Sequence, residues 1–509
     1  MLRRLRFIAL ACVLGATLQL WSQQTTGSIT GVVTDSTGAV MTIGTITAKN
    51  LDTGLTKTGK LGSSGSYVFN DLPPGAYSVT VEASGFAKAV RDRVELMVGQ
   101  QISANFQLRP GSASEIVQVT EEAPLVESTR SDITGSVSPR EVRELPIVDR
   151  NFAGLMSVIP GVRPAEAFDP TKTRAGNVSV NGSDGRSIDY NVDGGDNKDT
   201  VIGGIVQNFT MEGIQEFGVS TNRYTAESGR AAAAVVNVVT RSGTNSLHGS
   251  AFGLFQNSWL NKQDYFSETA GQDKPKFHRY HFGGYVGGPV IKDKLFFMGA
   301  YEHKREPGDI PVNPVSFSEL ALFPNAEPVS RLPFPFKDHL LTVKIDHHIS
   351  DKQNMFYRYA RERWINPNDQ LGNPFNADLS QTTTDTNQFH DFVIQHNYTI
   401  SSNKVNSINI HFQDFANSIL PAPGRTFTLP VAGGGTATNP EICFDNTLGC
   451  GAGSPEIGQN VNVPQQTLIR KYQFRDDFTW AKGKHNFKTG VNWVYVAKMG
   501  GFFFFGANG

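Results

Sequence analysis

Two short stretches carry residue types that suit metal or acid–base chemistry. His303-Lys304-Arg305-Glu306 places an imidazole and a carboxylate at a spacing compatible with two zinc ligands. Catalytic zinc needs a third protein ligand and a water it can polarise, and no convincing third ligand accompanies His303, so a structural place at the end of a strand is expected. Asp193-Gly194-Gly195-Asp196-Asn197-Lys198-Asp199 gathers carboxylates in a turn, as a calcium site would. Its spacing departs from the Asp-x-Asp-x-Asp-Gly loop of calcium hands, and Asp193, Asp196, Asn197 and Asp199 are expected to be the polar members of a structural loop. His347 and His348 are neighbours, and neighbours on a strand point to opposite faces, so they do not share one ion. Cys443 and Cys450 either close a small loop in an oxidising compartment, the favoured pairing, or remain free thiols. No phosphate-cradling glycine loop, nucleophile motif or convergent carboxylate pair stands out. No catalytic residue, metal site or cofactor is assigned.

The elements that carry these residues fall into three zones behind a leader. The chain has 509 residues and a net charge of −1, which argues against a global basic field for nucleic acid. Hydrophobic residues make up only 39%, too few for a bundle of membrane helices, each of which needs about 20 consecutive apolar residues. Three cysteines exclude a disulfide scaffold. Residues 1–23 run from Arg3, Arg4 and Arg6 through an apolar stretch to a small polar end, the order of a cleavable secretory signal. From 25 to 110 short alternating runs are separated by turn residues. Tyr77, Val79 and Val81 share one face and Ser78, Thr80 and Glu82 the other, as in a small β-sandwich. From 112 to 243 turn-rich loops alternate with short apolar runs, opening on Glu115-Ile116-Val117-Gln118-Val119-Thr120. Such an extended stretch can add as a strand to a partner's sheet edge, or serve as an ordinary linker strand.

From Thr244 onward the period is two, over lengths able to cross a bilayer as strands of about 9 to 11 residues. Leu341, Val343 and Ile345 alternate with Thr342, Lys344 and Asp346. Tyr472, Phe474, Phe478 and Trp480 oppose Gln473, Arg475, Asp477 and Thr479, and Phe487, Val491, Trp493 and Tyr495 oppose Asn486, Lys488, Asn492 and Val494. Ala481-Lys482-Gly483-Lys484 reads as a short turn, as does Gly287-Gly288-Pro289-Val290-Ile291-Lys292-Asp293-Lys294, while 307–336 and 421–466 read as long loops. Tyr280, Phe296, Phe297, Tyr357, Tyr359, Trp480 and Trp493 are placed as interfacial aromatics.

Several motifs carry a family resemblance. The turns and aromatics of 25–110 resemble the carboxypeptidase regulatory-like domain, an immunoglobulin-like or prealbumin-like sandwich also found in carbohydrate-binding modules. That resemblance implies a fold and no peptidase activity. Arg143-Glu144-Leu145-Pro146, Asn151-Phe152, Pro160-Gly161-Val162, Val178 to Gly182, Tyr190 to Gly194, Gly229-Arg230-Ala231 and above all Val236 to Gly243 resemble the plug of TonB-dependent outer-membrane receptors, and the combination is similar to the Oar-like transporters. The resemblance implies a mostly β chain: periplasmic sandwich, α+β plug at 112–243, then at 244–509 the first strands of a large antiparallel barrel in outer-membrane lipid. It implies a TonB-type energy-coupling partner at a box within Glu115 to Thr120, and a substrate (glycan, peptide or metal chelate) that the sequence does not specify. About nine strands follow Thr244. Bacterial barrels have even counts and plugged transporters about 22 strands, so the sequence is expected to be the N-terminal part of a longer protein. The rival readings are an outer-membrane adhesion or glycan-binding protein without transport and a secreted carbohydrate-active enzyme.

Overall fold

In a computed structural model the described residues are 26–500, apart from 113–115, 119–132, 148–149, 166–175, 184, 201–202, 225–227, 264, 270, 272, 275, 370–376, 402, 423–424, 432, 444–454, 461–462 and 483–484. The signal segment 1–23, Glu115, Val119, Thr120, Cys450 and the turn residues Gly483 and Lys484 therefore lie outside the described residues.

The N-terminal unit has two sheets. One contains β1 (Gly27–Asp35), β4 (Ser66–Leu72), β7 (Gln101–Ser103) and β8 (Phe106–Leu108). The other runs in the order β3 (Thr56–Lys60), β2 (Thr45–Asn50), β5 (Gly75–Glu82), β6 (Lys88–Leu96), β9 (Ile116–Gln118). Period-two patterning explains their packing. Tyr77, Val79 and Val81 of β5 are fully buried with Ile29, Val33, Ile46 and Phe106, each large apolar side chain contributing roughly 1.5–3 kcal/mol by leaving water. The Tyr77 hydroxyl donates to the Pro73 carbonyl at 2.7 Å, which satisfies the ring's polar end inside the core.

The middle unit is α+β. Its five-stranded sheet runs in the order β10 (Ile133–Val137), β15 (Ile214–Asn222), β16 (Ala234–Thr240), β13 (Ile188–Val192), β14 (Gly195–Asp196), and β13 and β16 are parallel. A separate pair joins β11 (Val162–Pro164) to β12 (Val178–Val180). The helix Pro139–Glu144 starts at a capping box: Glu141 N–H donates to Ser138 Oγ, and Ser138 N–H donates to the Glu141 carboxylate at 2.7 Å. It and the helix Phe152–Leu155 bury Val142, Phe152 and Leu155 in one cluster with Phe217, Val219 and Val236.

The third unit is a nine-stranded antiparallel sheet: β17 (His248–Asn257), β18 (His278–Ile291), β19 (Leu295–Glu306), β22 (Phe336–Ser350), β23 (Gln353–Asp369), β24 (Thr383–Ser401), β25 (Lys404–Pro421), β30 (Gln465–Lys482) and β31 (His485–Gly500). Tight connections at 292–294, 351–352, 402–403 and 483–484 alternate with long ones at 258–277, 307–335, 370–382 and 422–464. The long connections carry the helix Pro314–Leu320 and the small pairs β20 (Asp309–Pro311) with β21 (Arg331–Pro333), β26 (Thr428–Pro430) with β27 (Thr436–Thr438), and β28 (Ile442–Cys443) with β29 (Glu456–Ile457). A second apolar cluster of Val312, Leu320, Leu332, Ala377 and Ile457 ties them together. Among the described residues no helix is long and apolar enough to cross a membrane.

Burial along these strands follows the expected alternation. Thr342 and Lys344 are covered while Val343 and Ile345 are open, and Gln473, Arg475, Asp477 and Thr479 are covered while Tyr472 and Phe474 are open. Three expectations need correction. Ala481 and Lys482, read as part of a turn, are the last two residues of β30 and pair with Asn486 and His485. Gly287 to Ile291 is strand, not turn: β18 runs through it, and only Lys292-Asp293-Lys294 turns, with Asp293 in the left-handed region at φ +62°. Phe296 is not an interfacial aromatic, since its parity on β19 buries it completely against His348. The connector 241–247 joins the middle unit directly to β17. At Gly243 a Cβ would sit 2.4 Å from the Phe297 carbonyl oxygen and 2.7 Å from that of Gly288, so no larger residue fits without a shift.

Candidate functional site

The polar loop singled out in the sequence is where the middle unit meets the covered face of the large sheet. β13 and β14 pair Val192 with Gly195, leaving Asp193-Gly194 as a two-residue turn with φ +49° and +80°. Asp-Gly suits that turn because both central residues need positive φ. The turn delivers two carboxylates to the sheet. Asp193 accepts from Thr240 N–H at 2.9 Å and Thr240 Oγ1–H at 2.6 Å, and lies 3.6 Å from Arg358 Nη1 and 3.8 Å from Lys344 Nζ. Its carbonyl accepts from Asn409 Nδ2 at 3.2 Å. Asp196 pairs with Arg230 of the middle unit and with Lys471 Nζ at 3.2 Å. Its N–H donates to Gln473 Oε1 and its carbonyl accepts from Gln413 Nε2, at 3.1 and 3.2 Å.

All four loop residues are buried, and they divide into two roles. Asp193 and Asp196 bind the sheet. Asn197 instead closes the loop on itself, exchanging hydrogen bonds with Gln207 N–H and C=O at 3.0 and 2.9 Å, and the Asp199 backbone bonds to Gly203 and Gly204. Burial alone would raise the Asp196 carboxyl, but Lys471 and Arg230 outweigh it and hold the group below the usual carboxylate range. Asp189, on the same hairpin, is pushed the other way, to about 6, by burial and then by the charge of Asp196. No group of three metal-ligating side chains occurs among the described residues.

The sheet's side of the contact is a chain of ionisable groups spread over five strands, β22 to β25 and β30. Arg358 donates from Nη2 to Asp391 at 2.5 Å, and His411 joins Asp391 at 3.1 Å and Gln473 at 3.2 Å. The guanidinium also stands 5.1 Å from the Phe209 ring centroid. A second patch joins Arg150 to Glu302 at 3.2 Å and to Glu212 at 3.5 Å, with Arg150 stacked over Phe252. Sequence reading found the loop and noted Arg230, Lys344 and Gln473 only within motifs or as members of polar faces. It missed Arg358, Asp391 and His411. The available signal was the recurrence of charge among the covered-face positions of neighbouring strands, at Lys344, Arg358, Asp391 and Lys471, where polarity alone would satisfy a face that meets only water.

The remaining predicted residues lie elsewhere. Ile116, Val117 and Gln118 form β9, a parallel edge strand on β6 in which Lys88, Ala89 and Val90 face Ile116, Val117 and Gln118 in register. Gln118 Nε2 donates to Asp92 at 2.7 Å. The sandwich also reaches the middle unit, where Val98 N–H donates to Glu216 at 2.5 Å; burial pushes that carboxyl up to about 7. A cavity of about 740 Å³ opens between the sandwich, the middle unit and the ends of β22 to β24, lined by Arg93, Glu216, Arg241, Lys344 and Gln395 among others. Cys443 is disulfide-bonded. His303 is on the open face of β19, donating from Nδ1 to the Asp338 carbonyl at 3.1 Å, whereas Glu306 points to the covered face and binds Arg279 and His281. Three residues apart on a strand, the two face opposite ways and do not act together.

Comparison with known proteins follows the same division of the chain. The model of the outer membrane beta barrel domain family matches residues 239–316 and 309–508, and that of the carboxypeptidase regulatory-like domain matches 28–109. The TonB-dependent transporter Oar of Myxococcus xanthus is 27% identical over 250 residues, 47% of this chain and 23% of that protein, so the chain matches less than a quarter of its length. The outer membrane transporter YddB from Escherichia coli superposes with a TM-score of 0.51 at 11% identity, covering 71% of this chain and 48% of YddB. The siderophore receptor PirA from Acinetobacter baumannii gives a TM-score of 0.46 at 14% identity over 71% and 47%.

Proposed function

Since the chain belongs to the outer membrane beta barrel domain family, we propose that it is the N-terminal portion of a TonB-dependent outer-membrane transporter in which residues 112–243 plug the barrel begun by 244–509 and the sandwich 25–110 stands in the periplasm. The observation that carries this reading is the seating of the Asp193-Gly194 hairpin on the charges of the covered face, through Arg358, Lys344, Lys471 and Gln473. A middle unit that served only to join a sandwich to a surface-binding barrel would not need carboxylates buried against cations of three different strands. Desolvating such pairs is costly, and they persist where geometry and further hydrogen bonds offset that cost.

In this mechanism the substrate binds from the side of the long connections, and the plug blocks the way. A TonB-type partner engages the box at Glu115 to Thr120 and pulls, and force reaches the middle sheet through β10. Unseating requires the hairpin to leave Arg358 and Lys471. No covalent chemistry is involved. The pairing of β9 with β6 adds a step, because Ile116 to Gln118 must leave the sandwich edge before adding to the edge of a partner's sheet.

The test is substrate uptake by whole cells carrying the full-length protein, intact or with 115–120 deleted. Uptake should vanish while outer-membrane insertion and surface binding of substrate persist. Undiminished uptake in the deletion refutes the box assignment, and binding without uptake by the intact protein refutes transport.

A further inference from the structure

The open face of the nine-stranded sheet carries a cationic patch that the plug and its docking do not use. Five aromatics form one register row across it: Tyr359, Phe392, Phe412, Tyr472 and Tyr495 are successive partners on β23, β24, β25, β30 and β31. On the tight-turn side of that row the open face is apolar, with Ile394, Ile410 and Phe474 next in line, and Val343 and Ile345 continue it on β22. On the long-connection side the character changes within one alternation. Arg361 stands beyond Tyr359, then Arg363; His339 is the partner of Arg363, and His303 of His339; Lys337 and Arg305 pair one step further out. Asp414 is the acidic neighbour along this edge, and Arg470 already holds it through two bonds of 3.1 and 3.0 Å.

Arg305, Lys337, Arg361 and Arg363 have no hydrogen bond or ion pair among the described residues, and Arg361 Nε is buried without a partner. Burial of an unpaired charged donor is unfavourable, and cations on a lipid-facing surface are tolerated near the interface rather than at the midplane. Aromatic residues mark that interface at headgroup level. A row of aromatics edged by unpaired guanidinium and ammonium groups therefore lacks an anion, and the group found at that depth is a lipid phosphate. Arg361 and Arg363 suit it because guanidinium bonds phosphate oxygens in a fork.

We propose that Lys337, Arg361 and Arg363, with Arg305 beside them, hold the phosphate of an anionic lipid in the leaflet on the long-connection side. This rests on insertion of the sheet in a bilayer and not on transport or the docking box, so the uptake experiment and this one fail independently.

The full-length protein, purified in zwitterionic detergent, is titrated with phosphatidic acid and with phosphatidylcholine and followed by native mass spectrometry. Heat-modifiable migration on gels checks that the barrel is folded. Lys337→Gln/Arg361→Gln/Arg363→Gln should weaken phosphatidic acid binding on the order of 100-fold and leave phosphatidylcholine unchanged. Lys404→Gln/Lys482→Gln, at the opposite rim, should leave both unchanged. Should the triple variant not fold, the single exposed change Arg363→Gln should still weaken binding about fivefold. Equal binding by the cationic-patch variants and the parent, an equal loss in the opposite-rim variant, or displacement of the lipid by inorganic phosphate at matching concentration overturns the proposal.

Discussion

Replacing Arg358 with methionine isolates the seating of the middle unit, the proposed plug, from the rest of the fold. The guanidinium is completely buried and bridges Asp193 of the hairpin, at 3.6 Å, to Asp391 of the wall, at 2.5 Å. Methionine keeps much of the side chain's volume, but the two carboxylates then share only Lys344 and His411. Removing one partner from a buried ionic pair costs about 3–5 kcal/mol, because the remaining charge stays desolvated. Urea lowers the stability of a domain of this size by about 2 kcal/mol per molar, so release of the plug should occur at roughly 2 M less urea. The assay is ionic conductance of the full-length protein in planar bilayers as urea is raised, since a released plug opens the lumen to ions. Adding Asp391→Asn to the methionine variant should recover part of the shift by removing a stranded charge. Identical urea thresholds for the parent and Arg358→Met, in barrels that remain folded, would refute the idea that this arginine holds the plug.

Three further outcomes are expected. Glu216 is raised by burial from the ordinary carboxyl value of 4.5 to about 7 where Val98 meets it. With the sandwich docked, Glu216 keeps a proton that it has lost when the sandwich is released, so docking is strongest below about pH 4.5, weakens as pH rises toward 7 and levels off above it. Limited proteolysis between the sandwich and middle unit should be slower at pH 5 than at pH 8, and Glu216→Gln should flatten that dependence. A disulfide between Lys88→Cys and Ile116→Cys, partners on β6 and β9, should reduce uptake to background and let reductant restore it; full uptake by the cross-linked protein would show that β9 need not peel away. Gly243→Ala forces a methyl toward two carbonyl oxygens, and should lower outer-membrane yield of the folded protein, measured by heat-modifiable migration, far more than Gly38→Ala, although that position has φ +88°.

Period-two patterning made the strands β22 and β30 legible, because one face meets a packed interior and the other does not. It did not place the ends. Gly287 to Ile291 contains the residues of a turn, yet the strand continues because the pairing of Gly287, Gly288 and Pro289 with Met298, Phe297 and Phe296 extends the ladder to the sharper Lys292-Asp293-Lys294 turn. Phe296 looked like an interfacial ring because composition does not report parity against a neighbour, and its covered position follows only from the register with Asp346 on β22. Asp193 and Asp196 were visible as a polar turn because Asp-Gly has a local conformational meaning. Their partners Arg358 and Lys471 were not, since they are separated by more than a hundred residues and only the closing of the hairpin against β23 and β30 brings them together.

The connector 241–247 limits what unseating can mean. Thr240, which binds Asp193, is its root, and β17 is its other end. Seven extended residues reach about 24 Å, a distance comparable to the thickness of the apolar band of a membrane barrel, about 25 Å. In the proposed transporter the plug is thus a door on a short chain: it can swing aside or have a segment drawn out of it, but it does not drift away, and after each passage it falls back within reach of the same latch.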